Sequence, residues 1–299
     1  MAEKDIVEKT LEAYNDVFAD IVNVLLFDGK EYVQEKDLED ALPRSHYKAK
    51  GKWRELERDV AKYWKQSNVR IAMFGNENQT HEDEYMPIRV IGYDGMEYRA
   101  QLIKSLEKEE KDDKKVKVPH FPVVTLVLYF GYKNHWRKPI TLYECLDISE
   151  ELRPYVSDYK INLFEIAYLS EEQVKMFKSD FRFVADYFVQ MRKNNDYIPS
   201  TEIIKHVQAT LELMSVMTND YRFEEAYNQV EGEEHLSMCE YLDRIVEKGR
   251  NEGIEQGKMQ VLYELVQDHI GQVVNTVIIV AVLGEVAFHF VVNSQTVLI

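Results

Sequence analysis

The segment 57–80 (ERDVAKYWKQSNVRIAMFGNENQT) carries two carboxylates whose spacing suits metal chemistry. Asp59 opens a first extended segment, and Glu77 lies at the end of a second one, eighteen positions later. If the two segments pair as a hairpin, both carboxylates converge at one end of it. Neighbouring carboxylates repel each other unless a cation lies between them. Mg²⁺ prefers such oxygen ligands and retains waters, one of which can attack a phosphodiester, so the pattern predicts metal-dependent hydrolysis.

Gln79 follows Glu77 at a spacing of two residues, which places both on the same face of a strand. We expect Gln79 to orient the attacking water or to hold a phosphate oxygen. The same residues also allow a purely structural interpretation. In that case Asp59 pairs with Arg58 or Lys62, and Glu77 caps a turn.

A basic stretch at 44–70 surrounds the first carboxylate. It contains nine Lys or Arg residues against three acids, with four Tyr or Trp residues interleaved. Cations can track a phosphate backbone and aromatic rings can stack on bases, which predicts DNA binding; a solvated surface is the alternative. The predicted contacts to DNA are Lys50, Lys52, Arg54, Arg58 and Lys62. The net charge of −16 argues against binding through the overall field of the protein, so any such surface is local.

Hydrophobic periodicity predicts the elements that position these residues. In chain order the N-terminal half has a helix at 6–27, loop or short helix at 36–52, extended segments at 59–64 and 69–74, a helix at 86–108, and strands at 121–132, 140–146 and 161–168. Helices are predicted at 171–192, 201–217 and 223–247. The fold class is therefore α/β, followed by an all-helical region.

The C-terminal end differs from the rest in composition. Glycines at 249, 253 and 257 fall near one helical face, which predicts either close helix–helix approach in a homodimer or a weak, fraying helix. The tail 271–299 has no Lys, Arg or Asp. It contains Asn275, Glu285 and His289 and lacks basic flanks, so we expect no membrane span and interpret the tail as an altered reading frame or an adventitious strand.

Composition and motifs limit the protein class, the cellular compartment and the enzyme classes that remain. Hydrophobic residues make up 45% and charged residues 30%, as in ordinary globular proteins. The two cysteines, Cys145 and Cys239, are far apart, and no apolar leader opens the chain, which together predict a cytoplasmic protein. Phosphate-binding loops, serine-hydrolase elbows and zinc-ligand spacings are missing from the sequence. His135, within YKNHWRK at 132–138, lies among cations and predicts either a phosphate contact or a surface loop.

Several blocks of the sequence resemble the Rpn family of recombination-promoting nucleases, also described as YhgA-like transposases. The similarity extends over about 17–270, and the glycine-spaced KGRNEGIEQG at 248–257 is typical of the family. The blocks that carry it are VFADIVNVLLFDGK (17–30), RDVAKYW (58–64), ENQT (77–80), MPIRVIGYDGMEYRAQL (86–102), PVVTLVLYFG (122–131) and DYKINL (158–163). The resemblance implies a PD-(D/E)XK-like restriction-endonuclease core, with a mixed sheet flanked by helices.

This resemblance also implies an activity, that of a metal-dependent DNA endonuclease that promotes recombination and uses Mg²⁺ or Mn²⁺. Asp59 then matches the metal-binding Asp of the motif and Glu77 its second acidic ligand. Gln79 stands where the general motif has Lys, and it supplies a neutral donor in place of a positive charge. The predicted regions are a nuclease-like domain at 1–169, a helical region at 170–247, a glycine-spaced helix at 248–270 and an atypical apolar tail at 271–299, and the tail does not match the family.

Further residues are candidates of a second tier. Asp20, on the first helix, is a candidate accessory ligand or a group that orients one. Tyr98, Arg99 and Gln101, on the following helix, are candidate phosphate contacts, with packing or surface roles as the alternative. The competing hypothesis for the whole protein is a catalytically weak or inactive nuclease-fold protein that acts as an interaction or regulatory module. The acidic net charge, the Gln at position 79 and the large helical half motivate it.

Overall fold

The computed structural model describes residues 11–41, 44–49, 52–57, 59–66, 69–111, 119–218, 223, 237–240, 243, 247, 250 and 254–262. Side chains are described for these residues except 44–49, 52–57, 69–77 and 108–111. The chain divides into two compact units, Met1–Ile245 and Val246–Ile299. The predicted tail at 271–299 and most of the glycine-spaced helix lie outside the described residues.

Among the described residues of the first unit, seven strands form two sheets. They are β1 (Leu38–Asp40), β2 (Arg44–Ala49), β3 (Lys52–Glu57), β4 (Val60–Gln66), β5 (Val69–Gln79), β6 (Val123–Tyr129) and β7 (Asn162–Glu165). The larger sheet has the order β1-β4-β5-β6-β7, and β2 pairs with β3 in a separate hairpin. The β1–β4 and β4–β5 pairs are antiparallel, whereas β5–β6 and β6–β7 are parallel. The sheet is therefore mixed, with its parallel strands at one side.

Helices cover both faces of this sheet. In chain order they are α1 (Asn15–Phe27), α2 (Met86–Lys111), α3 (Leu142–Cys145), α4 (Glu171–Met176), α5 (Phe181–Asn194) and α6 (Val207–Thr218). Alternate residues of β6 project to opposite faces. Leu126 and Leu128 join a core built with α1, α5 and α6, while Val127 and Tyr129 pack with residues of α2. The protein is thus a mixed α/β structure, as the sequence predicts.

α2 is the crossover between β5 and β6, and polar contacts fix it on the sheet. Buried Asp94 of α2 accepts hydrogen bonds from the Thr125 hydroxyl, at 2.6 Å, and from the Tyr159 hydroxyl. Parallel strands need such a crossover, usually a helix. The predicted helix at 86–108 is confirmed, and so is the buried strand predicted within 121–132.

Three predictions of local structure need correction. The stretch 36–52, predicted as loop or short helix, contains β1, β2 and the start of β3, and the hairpin register opposes Arg44 to Glu57. The strand predicted at 140–146 is the short helix α3, because Thr141 and Glu144 form a capping box that starts a helical turn. The helix predicted at 171–192 is two helices, α4 and α5, and a second capping box starts α4.

The helical region shares its core with the sheet. Phe181 and Phe188 of α5 contact Phe130, which follows β6, and buried residues of α6 belong to the same cluster. The first compact unit therefore includes the predicted domain at 1–169 and nearly all of the predicted helical region. Among the described residues no helix is long and apolar enough to span a membrane.

Candidate active site

The β4–β5 hairpin brings the positions of the two predicted metal ligands to one end. Val60, the first residue of β4, pairs with Asn76 of β5. Asp59 immediately precedes Val60, and Glu77 immediately follows Asn76. In an antiparallel pair, positions that continue the same register lie across from each other. The predicted hairpin is therefore confirmed, and its end carries both acidic positions.

The backbone of β5 holds the Asp59 carboxylate. Its Oδ2 accepts a hydrogen bond from the backbone N–H of Asn78 at 2.6 Å, and the side chain is half-buried. Lys62, which the sequence allowed as a partner of Asp59, instead forms an ion pair with Asp40 at 2.5 Å. The Glu77 side chain lies outside the described residues, but its backbone pairs with Val127 of β6. The carboxylate of Asp59 is thus tied to the strand that carries Glu77.

Gln79 ends β5 and faces the end of the next strand. It is half-buried and pairs with Tyr129 of β6, and its backbone oxygen accepts the N–H of Phe130 at 2.9 Å. Tyr129 in turn pairs with Glu165 of β7. Gln79, Tyr129 and Glu165 therefore form a row across the carboxyl ends of three neighbouring strands, where ligands of α/β sheets commonly bind.

The donor types at this end suit a hard divalent cation. Aspartate, glutamate and glutamine offer oxygen ligands, which Mg²⁺ and Mn²⁺ prefer. Carboxylates that bind metals are themselves commonly hydrogen-bonded, as Asp59 is by the Asn78 amide. Among the side chains that the structure describes, no group of three or more His, Cys, Asp or Glu residues could hold a metal. Such a site therefore depends on Glu77.

Asp20 lies in a cleft beside α1. Its Oδ2 accepts the backbone N–H groups of Lys178 and Ser179 at 2.8 and 2.7 Å, so it fixes the segment before α5. Burial raises the pKa of Asp20, and the hydrogen bonds from Ser179 and Lys178 oppose that rise. The cleft has a volume of about 420 Å³, and its charged lining residues include Asp16, Glu31, Glu35 and Lys205. Within this cleft Asp20 therefore holds the backbone at Lys178 and Ser179.

Tyr98 and Gln101 bind the amino end of β6. The Tyr98 hydroxyl accepts the N–H of Val123 at 3.0 Å, and buried Gln101 bonds both the N–H and the C=O of Phe121. Val123 and Tyr129 are the two ends of β6, about 20 Å apart at 3.3 Å per residue. Tyr98 and Gln101 therefore anchor the end of β6 that lies far from Gln79.

The structure places the predicted DNA contacts in different settings. Lys50 and Arg58 lie outside the described residues, and only the backbone of Lys52 and Arg54 is described, in β3 of a hairpin that contacts α2. Lys62 has a relative exposure of only 1%, and its ammonium group lies 5.8 Å from the centre of the Phe18 ring. Lys62 is thus a buried residue of the sheet, in contrast to the exposed DNA contact that the sequence predicted.

The row at the strand ends includes residues that sequence reasoning did not select. Tyr129 turns its ring over Gly131, where an added Cβ would lie 2.1 Å from the ring, so a larger residue there would displace the end of the Tyr129 side chain. Burial raises the pKa of Tyr129, and the carboxylates of Glu82 and Glu165 add to the rise. The pairing of β5 with β6 and β7 brings these groups together, and no local spacing reveals it.

Comparison with known proteins adds no relative: no family model, no curated protein and no solved structure matches this chain.

Proposed function

We propose that this protein is a divalent-metal-dependent DNA endonuclease with a PD-(D/E)XK-like core, which hydrolyses phosphodiester bonds and promotes recombination in the manner of the Rpn family. One observation carries the proposal. The β4–β5 register sets Asp59 and Glu77 at the same hairpin end, beside the carboxyl ends of two parallel strands. Helix α2 supplies the crossover that makes β5 and β6 parallel.

The proposed roles follow from the chemistry of each group. Asp59 and Glu77 hold Mg²⁺ or Mn²⁺, and the Asn78 N–H keeps the Asp59 carboxylate in place. When bound, the metal supplies an activated water and neutralises charge on the phosphoryl group. Gln79 donates its amide N–H to a phosphate oxygen or orients the water, as a neutral substitute for the Lys of the general motif.

DNA contacts are assigned to the β2–β3 hairpin, which carries Lys52 and Arg54 and contacts α2. Lys50 and Arg58 flank β3 in the sequence and belong to the same proposed surface. Lys62 does not belong to this proposed DNA-binding surface, because its side chain is buried and paired with Asp40. The proposed location is the cytoplasm, and the proposed oligomer is a homodimer through the glycine-spaced helix at 248–270.

A catalytically inactive interaction module is the second candidate. The observation that favours it is the neutral Gln79 at the position where the general motif has a cation, in a protein of net charge −16. An inactive module needs no metal. Calorimetric titration with Mn²⁺ separates the two: binding that is lost in Glu77→Ala supports the nuclease, and absence of binding supports the module.

Plasmid nicking tests the nuclease directly. Wild-type protein with Mg²⁺ or Mn²⁺ should nick supercoiled plasmid, and Asp59→Ala should lower the rate by about a hundredfold or more, because the metal loses a ligand. Glu150→Ala, which removes an exposed carboxylate, is the matched control and should cut like the wild type. Circular dichroism confirms that each variant folds. Equal nicking by wild type and Asp59→Ala would refute the assignment.

A further inference from the structure

The loop 131–138 is fastened to the edge of the sheet where the candidate site lies. The Arg137 backbone N–H donates to Glu82, and Lys138 forms an ion pair with Glu84. Glu82 and Glu84 lie in the segment that follows β5. At the other end of the row, the Trp136 N–H donates to Glu165 Oε1 at 2.7 Å. The loop therefore crosses the carboxyl ends of the parallel strands, next to Gln79.

His135 projects from this loop as an oriented and exposed ring. Its imidazole stacks on Tyr168, with ring centres 3.6 Å apart and planes inclined by 30°. Its Nδ1 lies 3.2 Å from each oxygen of Glu165, and the Trp136 N–H anchors that carboxylate. The His135 side chain is nevertheless 64% exposed. Because one ring face lies against Tyr168, the exposed part includes the opposite face.

The support beneath His135 extends one layer further. The Arg192 guanidinium lies 4.8 Å from the centre of the Tyr168 ring, and its Nε donates to the Ala167 carbonyl at 2.7 Å. Ordering an exposed side chain costs conformational entropy, and exposed polar contacts recover little of that cost. The contacts among His135, Tyr168 and Arg192 therefore do little for stability, but they present an ordered planar surface on which a further ring can stack.

Two exposed cations lie close to His135 in the sequence. Lys133 and Arg137 are exposed, and neither has an ion-pair partner within the described part of the chain. Among the acids of the adjoining segment, Glu84 is paired with Lys138 and Asp83 with Arg89. Glu82 and Glu165 accept backbone N–H groups of the loop. These backbone hydrogen bonds orient the Glu82 and Glu165 carboxylates but do not remove their charge. Lys133 and Arg137 flank His135 in the sequence and are exposed, so both are placed to contact phosphate groups, and the Arg137 guanidinium also donates to the Asn134 side chain at 3.4 Å.

We propose that His135 is a stacking platform for an unpaired nucleobase of the DNA substrate, with Lys133 and Arg137 on the adjacent phosphates; this rests on the proposed nuclease function. Bases stack on histidine as on other aromatic side chains. Gln79 and Glu165 are two strands apart, or about 10 Å, which corresponds to about three base steps. Neighbouring pairs cover both faces of every base inside a duplex, whereas an unpaired base of a single strand can turn one face to the platform.

Binding without cleavage tests this proposal. Fluorescence anisotropy in EDTA compares a short labelled single strand with the same sequence closed as a duplex. His135→Ala should weaken single-strand binding by about tenfold. His135→Phe, which retains an aromatic face, should stay within about twofold of wild type, and duplex binding should change less than about twofold. His120→Ala, at an exposed histidine before the opposite end of β6, is the matched control and should bind like wild type.

A second readout reports the stack itself. 2-Aminopurine in the single strand should lose fluorescence on binding wild type and His135→Phe, but not His135→Ala. Unchanged single-strand binding by His135→Ala, or equal weakening by His135→Phe, would overturn the platform while Asp59-dependent nicking leaves the nuclease intact. Conversely, His135-dependent binding without Asp59-dependent nicking would overturn the nuclease and retain the platform as a nucleic-acid site.

Discussion

Asp59 and Lys62 show how the same local sequence places charged residues in opposite environments. Asp59 is half-buried, and its carboxylate is oriented by the backbone of the neighbouring strand. Lys62, three residues later, is buried between the sheet and Phe18 and paired with Asp40. A carboxylate that is held at a strand end can bind a ligand. An ammonium group that is buried in the sheet instead stabilises the fold.

Gln79→Lys should increase the rate of plasmid nicking. The substitution places a positive charge where negative charge develops on the phosphoryl group, and one well-placed donor is worth about a hundredfold in rate. Because Lys is longer and more flexible than an optimised donor, we expect a gain of about tenfold. The rate is measured at saturating Mg²⁺.

Gln34→Lys is the matched control for this substitution, since Gln34 is exposed in the loop that lines the Asp20 cleft. It should leave the rate unchanged. If Gln79→Lys has no effect or slows nicking, Gln79 does not face the phosphoryl group in the transition state.

At the scale of elements, the apolar pattern predicted some elements correctly but missed helix caps, both in a short segment, 140–146, and in a long one, 171–192. The long apolar run within 121–132 and the periodicity of 86–108 correctly predicted β6 and α2. At 140–146 the apolar residues suggested a strand, but Thr141 and Glu144 cap a helical turn, and local hydrogen bonds outweigh pattern in so short a segment.

The candidate site was predictable only in part, for a physical reason. The hairpin that joins Asp59 and Glu77 is a local contact, so spacing alone could predict it. The row of Gln79, Tyr129 and Glu165 depends on parallel pairing between strands far apart in the sequence. Parallel pairing requires long crossovers, and residue spacing within one segment carries no information about them.

Helix α1 is connected to the start of α6 through Asp16. Its carboxylate bonds Lys205 Nζ at 2.6 Å and His206 Nε2 at 3.0 Å. Burial alone would raise the pKa of Asp16, but the hydrogen bonds from Lys205 and His206 bring it below the ordinary value. A lowered pKa in the folded state means that the ionised carboxylate stabilises the fold at pH values above the unfolded pKa of about 3.9.

Asp16→Asn should therefore lower the free energy of unfolding at neutral pH. The difference from wild type should shrink as the pH falls from about 4 through the folded pKa, because protonation of Asp16 removes the same charge. Urea unfolding at a series of pH values measures this difference in the free energy of unfolding. Asp147→Asn, at an exposed position, should show no such difference. A difference that is constant with pH would assign the effect to packing rather than charge.

For the whole molecule, the net charge of −16 constrains how it can bind DNA. A protein with this overall charge repels a polyanion at long range, and added salt screens that repulsion. Binding must then depend on a few local cations. Two surfaces supply such charge locally. One is formed by the exposed Lys133 and Arg137 at the strand ends, and the other is the proposed surface on the β2–β3 hairpin.

The salt dependence of single-strand binding should distinguish these two surfaces. Affinity falls with salt with a logarithmic slope of about −0.7 per phosphate neutralised, so two contacts give a slope of about −1.4. Lys133→Ala or Arg137→Ala should each make the slope shallower by about 0.7, and Lys104→Ala, on the exposed face of α2, should leave it unchanged. Anisotropy titrations between about 50 and 200 mM salt measure it. A slope steeper than about −4 that is insensitive to Lys133 and Arg137 would instead assign the strand to the hairpin surface.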